Sequence, residues 1–400
     1  MGVRNYPMPD FDFTPTGAIF DRREALLEEW TPDEFVGRDQ ELENYHAALQ
    51  PVIENEPPSN VFLYGKSGVG KTAATKFLLG KLESAAADVD GLDLHTVTVN
   101  CDGLNSSYQT AVALVNELRR PENQISKTGY PQASVYQFLF NELESMGGTV
   151  LIVLDEVDHI KDDSILYKLS RARSNEDLQA TRLGVIGISN DLDFRNQLSS
   201  KVRSSLCEKE VSFSAYDALE LRQVLEQREA VAFNQGVLDD GVVQMCAAYG
   251  AKDSGDARQA LDLLLESGDV AREEGSELVT EAHVREARRR LQTDQVVEGI
   301  RNYSEHGQLV LWALMRLEEQ QETPVPTREI YDPYTEVCRQ VGNDPVSDRA
   351  VREYLAELDT LGIIQSSEIN HGKGGGKYKE HELNQSVESV KNGLSEFVDA

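Results

Sequence analysis

Eight consecutive residues carry the first chemistry legible in this chain. Gly65-Lys66-Ser67-Gly68-Val69-Gly70-Lys71-Thr72 fits G-x-x-x-x-G-K-[ST], a loop that closes around a chain of phosphates. The glycines keep side chains out of the way of the anion, and the backbone N–H groups of the loop and of the following helix N-terminus converge on it. Lys71 is placed to reach the β- and γ-phosphates and Thr72 to hold Mg²⁺ through its hydroxyl. The flanks agree: residues 61–64 read as a short buried strand and residues 73–82 as a helix. The motif predicts a site for ATP or ADP with Mg²⁺.

A second group lies about 80 residues further on. Val150-Leu151-Ile152-Val153-Leu154 is an unbroken apolar run, as expected of a parallel strand buried on both faces, and it ends in Asp155-Glu156. An Asp at that strand end can order the Mg²⁺ shell, and the Glu after it can polarise an attacking water. Residues 183–190 give another buried strand ending in Asn190. Beside Asp155 in a sheet, Asn190 can orient that water and touch the γ-phosphate; alternatively, Asn190-Asp191 simply caps the next helix. In Gly255-Asp256-Ala257-Arg258, Asp256 can cap a helix whose first turn carries Arg258 toward the phosphates.

The elements needed to hold these groups follow from the pattern. Strands at 61–64, 94–99, 150–154, 183–190 and near 211–213 alternate with helical stretches, which predicts a five-stranded parallel α/β sheet with its ligand at the strands' carboxyl ends. After Tyr216 the strand signals stop, and 219–232, 240–249 and 255–264 read as a small helical lid. From 296 the pattern changes again: helices at 306–319, 327–341 and 347–361, then a strand from 363 and the Gly-rich stretch 372–378. Three helices and a hairpin outline a winged helix-turn-helix. In its third helix Val351, Leu355, Leu358 and Leu361 share a packing face, leaving Arg349 and Arg352 for phosphates or base edges. Lys373 and Lys377 lie in the most basic short segment of the chain.

Composition narrows the setting. Four hundred residues fit two or three domains, and no window is apolar enough to span a membrane. Met1 to Phe13 shows no secretory signal, and Cys101, Cys207, Cys246 and Cys338 form no C-x-x-C pair, so a reducing cytoplasm is expected. The net charge of −30 is spread over the whole length, and Arg outnumbers Lys 25 to 14. An acidic protein repels nucleic acid at low salt. In molar salt the Debye length is about 3 Å and that repulsion largely disappears. The even acidity is that of a halophilic protein.

In the order of phosphate loop, Asp155-Glu156, Asn190, the Val202-Arg203-Ser204-Ser205-Leu206 box and Gly255-Asp256-Ala257-Arg258, the chain resembles the AAA+ ATPases. More narrowly it resembles the archaeal origin-recognition/cell-division-control initiators, and Phe35-Val36-Gly37-Arg38-Asp39-Gln40-Glu41-Leu42 is similar to that family's lead-in. The resemblance implies that Arg38 lies near the adenine end of the site, that Asn190 is sensor 1 and that Arg258 is sensor 2. It implies an N-terminal extension (1–18), an AAA+ base domain (19–214), a lid (215–295) and a winged-helix domain (296–400). The family commonly has Arg before the Val of the box, where this chain has Lys201, a poor substitute for a planar fork; Lys201 and Arg203 are both candidates for the finger acting on a second copy, and the alternative is a surface pair holding the loop. An extra helical insertion is expected at 108–130, where Arg119, Arg120 and Lys127 can meet phosphates. The function implied is ATP-dependent initiation: binding of double-stranded origin DNA, slow hydrolysis with Glu156 as water activator, and recruitment of the replicative minichromosome maintenance helicase, with other initiator copies on the DNA. Lid closure over the nucleotide would set the spacing of two grips on one duplex. The competing reading is an ATP-switched scaffold whose winged helix docks proteins.

Overall fold

The computed structural model describes residues 19–28, 30–32, 34–172, 174–206, 209–370 and 377–398. The chain divides into two compact units, Met1–Val284 and Arg285–Ala400.

The first unit is built on a sheet of β1 (Val61–Tyr64), β2 (Leu94–Asn100), β3 (Thr149–Asp155), β4 (Arg182–Ser189) and β5 (Lys209–Ser212), in the order β2-β3-β4-β1-β5 with every pairing parallel. The continuous apolar run of β3 is explained by its two neighbours in the third dimension. Val150, Ile152 and Leu154 pack into the core on one face and Leu151 and Val153 into the core on the other. Helices α1 (Asp39–Ile53) and α2 (Lys71–Ala87) cover the second face, where Tyr45, Leu49 and Leu78 are buried. Helices α3 (Ser107–Leu118), α4 (Gln132–Met146), α5 (Ser164–Ser170), α6 (Phe194–Gln197) and α7 (Ser200–Leu206) belong to the first. The expected insertion helix over 108–130 is shorter than the sequence suggests. Chain geometry turns extended at Arg119 and Arg120, because Pro121 disfavours a helical residue before it, and only a 3₁₀ turn, Pro121–Asn123, follows.

Three lid helices follow: α8 (Ala218–Ala232), α9 (Val242–Asp253) and α10 (Ala257–Glu273). A capping box starts α8, with Asp217 accepting from Leu219 and Glu220 N–H and Glu220 answering to the Asp217 N–H. The segment 19–36 was expected with the base domain, yet its bonds run to these helices. Phe20 stacks on Phe233 at 4.9 Å, Asp21 N–H donates to Ala232 O at 2.9 Å, and Arg23 pairs with Asp269 at 2.7 Å. It is a strap fastened to the lid.

Helix α11 (Glu281–Arg301) runs across the boundary between the units and was not legible as a helix in the sequence. The second unit continues with α12 (Glu305–Glu319), α13 (Thr327–Val341) and α14 (Asp348–Thr360). A three-stranded antiparallel sheet follows, of β6 (Val325–Pro326), β7 (Ile364–Asn370) and β8 (Lys377–Leu383), in the order β6-β8-β7, and α15 (Val387–Gly393) and α16 (Ser395–Val398) close the chain. The Pro324-Val325-Pro326 break is thus an edge strand, a place where proline is tolerated. Ser347 caps α14 by accepting from Ala350 N–H. Val351, Leu355 and Leu358 are buried as expected, but Leu361 is 57% exposed: the helix ends at Thr360 and Gly362, at φ +69°, turns the chain away. His381 fastens the hairpin to α13, its Nε2 lying 2.8 Å from Thr327 Oγ1 and its Nδ1 2.9 Å from Ser366 Oγ. Burial pushes its pKa down to about 4, so it packs as a neutral ring.

One buried amide ties β1, β4 and α7 together. Asn60 Nδ2 donates to Ser205 O of α7 at 2.7 Å and Asn60 Oδ1 accepts from Val185 N–H of β4 at 2.9 Å, directly before β1. Asn60→Ala strands both backbone groups, at roughly 1–3 kcal/mol each. Chemical denaturation in molar KCl should show a loss on the order of 2–6 kcal/mol; an unmoved midpoint would remove Asn60 from this role.

Candidate nucleotide site

Strand order puts the chemistry together. β4 lies between β3 and β1, so the carboxyl ends of three adjacent strands deliver Asp155, Asn190 and the phosphate loop side by side. Residues 65–70 form the loop from β1 to α2. Gly65 passes so close to β5 that a Cβ would lie 2.4 Å from Phe213 O. Gly68 has φ +70°, and a Cβ there would collide with Asp256 Oδ1. That contact is the seam with the lid: Ala257 N–H donates to Gly68 O at 3.0 Å, while Asp256 caps α10 by accepting from Arg258 and Gln259 N–H.

Lys71 is 4% exposed, and its ammonium donates to Gly65 O at 2.8 Å, Lys66 O at 2.6 Å and Asn190 Oδ1 at 2.9 Å. Burial pushes its pKa down to about 8 against the opposing pull of Asp155, Asp158 and Glu156. A buried cation bonded only to neutral acceptors is suited to an incoming polyanion, which restores the charge balance. Thr72 Oγ1 donates to Asp155 Oδ2 at 2.8 Å, pairing the two oxygens expected to hold Mg²⁺. Asn190 continues the chain, its Nδ2 donating to Glu156 Oε1 at 3.3 Å and its N–H to Asp158 Oδ1 at 3.1 Å. Asn190 is therefore bonded on both sides within the site and does not cap α6, whose cap position is Asp193. Glu156 itself sits at φ +54°, ψ +42°, an uncommon conformation for a residue with a side chain and one that marks functional sites.

Ser67, Gly68, Gly70, Lys71, Thr72, Asp155, Glu156, Asn190 and Arg258 all line one cleft. Arg258 reaches it from α10 and pairs there with Glu28 of the strap. Arg38 does not line the cleft. It is 1% exposed, donates to Ser214 O at 2.6 Å and Glu41 Oε1 at 3.1 Å, and stacks 3.6 Å from the Tyr216 ring centroid. Tyr216 is a wall of the cleft, so Arg38 braces that wall from behind. Arg203 lies on α7 and is not among the lining residues. The apolar end of the cleft went unread in the sequence: Leu26, Trp30 and Val36 from the strap face Val224, Arg228 and Leu261 from the lid. No motif marks them, because their proximity depends on the strap folding back over α8.

On the winged helix, Arg349 and Arg352 are exposed, each paired one turn away, with Glu353 at 3.0 Å and Asp348 at 2.8 Å. Lys377 pairs across the hairpin with Glu368 at 2.6 Å. Lys373 lies outside the described residues. Arg119 pairs with Glu142 at 2.7 Å and lies 5.3 Å from the Phe138 ring centroid; Arg120 is exposed.

The depressed pKa of Lys71 has a pH signature. Its charged form is the one phosphates need, and the free site loses that charge above about pH 8 while the bound site keeps it. Affinity for ATP should fall by about tenfold per pH unit above 8 until the bound-state pKa is reached. A titration flat from pH 7 to 10, or one whose slope survives in Lys71→Ala, would contradict this.

Comparison with known proteins places this geometry. Residues 55–195 match the AAA domain family, residues 222–289 the Cdc6 AAA+ ATPase-type lid domain and residues 298–393 the CDC6 C-terminal winged helix domain. The chain is 53% identical over 381 residues to ORC1-type DNA replication protein 11 of Haloarcula marismortui, covering 95% of this chain and 92% of that one. It is 45% identical to ORC1-type DNA replication protein 10 of Halobacterium salinarum, covering 98% and 95%. The structure of the Aeropyrum pernix ORC1 protein in complex with DNA superposes with a TM-score of 0.78 at 37% identity, over 95% of this chain and 97% of that one. With an AAA+ sheet, a helical lid and a winged helix in that order, the chain belongs to the ORC1-type DNA replication protein family.

Proposed function

We propose that this protein initiates DNA replication as an ATP-controlled binder of double-stranded origin DNA and helps recruit the replicative minichromosome maintenance helicase. The observation that carries this reading is the hydrogen-bonded line Lys71–Asn190–Glu156 facing Arg258, on a chain that also presents Arg349 and Arg352 outward from a winged helix. Lys71 gives up loop carbonyls to take phosphate oxygens. Thr72 and Asp155 would hold Mg²⁺, which supplies charge neutralisation at the phosphates. Asn190 fixes the Glu156 carboxylate at its Oε1, where Glu156 can accept a proton from the attacking water. Arg258 exchanges Glu28 for phosphate, so the lid answers to the presence of a nucleotide. Arg203, on α7, is the candidate for contact with a neighbouring copy on DNA.

Contact with DNA is assigned to Arg349 and Arg352 on α14, to Lys377 on β8 and, from the sequence, to Lys373, with Arg120 and Arg119 a second place on the first unit. Arg119 must first leave Glu142, so Arg120 is the readier of the two. The observation favouring the scaffold reading is the net charge of −30, together with a carboxylate partner on each of Arg349, Arg352 and Lys377.

Two experiments test the assignment. Glu156→Gln should keep ATP binding and suppress turnover by about 10²–10⁴-fold; unaltered hydrolysis would remove Glu156 from this role. The double variant Arg349→Ala/Arg352→Ala should lose roughly 1–3 kcal/mol of DNA affinity per arginine in a footprint at molar KCl. Intact DNA affinity with lost helicase association would establish the scaffold reading instead.

A further inference from the structure

Asp155, Glu156 and Asn190 line the cleft, whereas Asp158 does not. The chain reverses straight after β3: Glu156 takes the left-handed conformation, and a single 3₁₀ turn, Val157–His159, follows. Two apolar residues anchor that turn in the core, Val157 fully buried and Ile160 4% exposed. The turn rests against β4, where a Cβ at Gly187 would lie 3.8 Å from Val157 Cγ1. Asp158, between the two anchors, thereby reaches the residue after β4, and its Oδ1 accepts from Asn190 N–H at 3.1 Å.

That bond holds a part of Asn190 that lies beyond the strand ladder. β4 ends at Ser189, paired with Tyr64 of β1, and its register with β3 stops at Gly187. A carboxylate taking the next N–H makes a charge-assisted bond in place of a ladder bond. The side chain beyond it has little latitude. An amide accepts only at oxygen and donates only at nitrogen, so Asn190 serves Lys71 and Glu156 together in one orientation alone. Its Oδ1 lies 2.9 Å from the ammonium and its Nδ2 3.3 Å from Glu156 Oε1. The longer of these bonds does not survive a displacement of about 1 Å.

We propose that Asp158 is a positioning residue for hydrolysis: it holds the Asn190 main chain so that the Asn190 amide spans Lys71 and Glu156, and it does not itself touch the nucleotide. The proposal rests on the reading of Glu156 as water activator. It gives two carboxylates at the end of one strand separate duties, since Asp155 accepts from Thr72 at 2.8 Å on the metal side and Asp158 serves the neighbouring strand.

Turnover and ATP affinity of the full chain in molar KCl at pH 7, with Asp158→Asn and Asp158→Ala, test it. The asparagine keeps an oxygen acceptor and loses the charge; the alanine loses the acceptor. Asp158→Ala should lower kcat about 10²-fold, with ATP affinity within about threefold of wild type. Asp158→Asn should recover kcat to within about fivefold of wild type. Equal kcat in the two variants, or an alanine variant whose ATP affinity falls along with kcat, would each overturn the proposal and leave Asp158 a structural carboxylate. Hydrogen exchange of the wild type needs no variant. The Asn190 amide should exchange at least about 10²-fold more slowly than an open amide, and exchange at the open rate overturns the proposal even where Asp158→Ala misfolds. A wild type that binds ATP without hydrolysing it would overturn the underlying reading of Glu156 instead.

Discussion

The buried ammonium of Lys71 is the constraint on which the first unit depends. A cation this enclosed is tolerated only with every N–H satisfied, and its three acceptors come from the loop after β1 and the end of β4. Those acceptors meet only if β4 lies directly beside β1, and the second partner of Asn190, Glu156, is within reach only if β3 lies on the far side of β4. The strand order and the charge of one side chain are therefore a single requirement. A phosphate chain entering the loop competes with the two carbonyls for Lys71 and acts on Asn190 and Glu156 through the same bonds.

The lid enters through backbone geometry. Gly68 must lack a Cβ because Asp256, the cap of α10, occupies that space, and the cap sets the first turn from which Arg258 projects. A change in the loop at Gly68 is thus passed to α10 through the Asp256 carboxylate and the Ala257 N–H bond to Gly68 O. The strap adds a second tie on the lid's other edge, through Arg23 to Asp269 and Gln227 to Glu34 O. Loop, cap and strap make the lid a wall of the cleft whose footing depends on what the loop holds.

Much of this was legible beforehand because its signals are local. The glycine spacing of the loop, the apolar run ending in Asp155-Glu156 and the Asp256 cap each lie within ten residues of sequence. The AAA+ fold, the lid and the winged helix followed from those signals and from the family resemblance they support. What escaped depends on chain reversal. Residues 19–36 carry no pattern that distinguishes packing on α8 from packing on the sheet, so the strap, Trp30 and Arg228 were not foreseen. Arg38 was placed near the adenine end of the site by resemblance; its guanidinium lies behind the cleft wall, on Ser214 and the Tyr216 ring, a bracing position that the lead-in motif does not announce. Leu361 fits a helical repeat, but the repeat outlasts the helix. α11 is highly charged, and its apolar positions are too few to announce a helix.

The acidity and the paired arginines resolve each other in the solvent that this composition suits, which is also that of the haloarchaeal relatives. At molar salt a Debye length of about 3 Å removes both the repulsion between a net charge of −30 and DNA and most of the attraction of any lysine for phosphate. An exposed i,i+4 pair such as Arg349–Glu353 is worth at most about 1 kcal/mol even in dilute buffer, so opening it for DNA costs little. What remains is short-range geometry, where a planar guanidinium matches two acceptors on a guanine edge and an ammonium does not. Under the proposed function, a winged helix bearing arginine on its third helix, in a chain with 25 Arg to 14 Lys, would rely on contacts that salt does not screen.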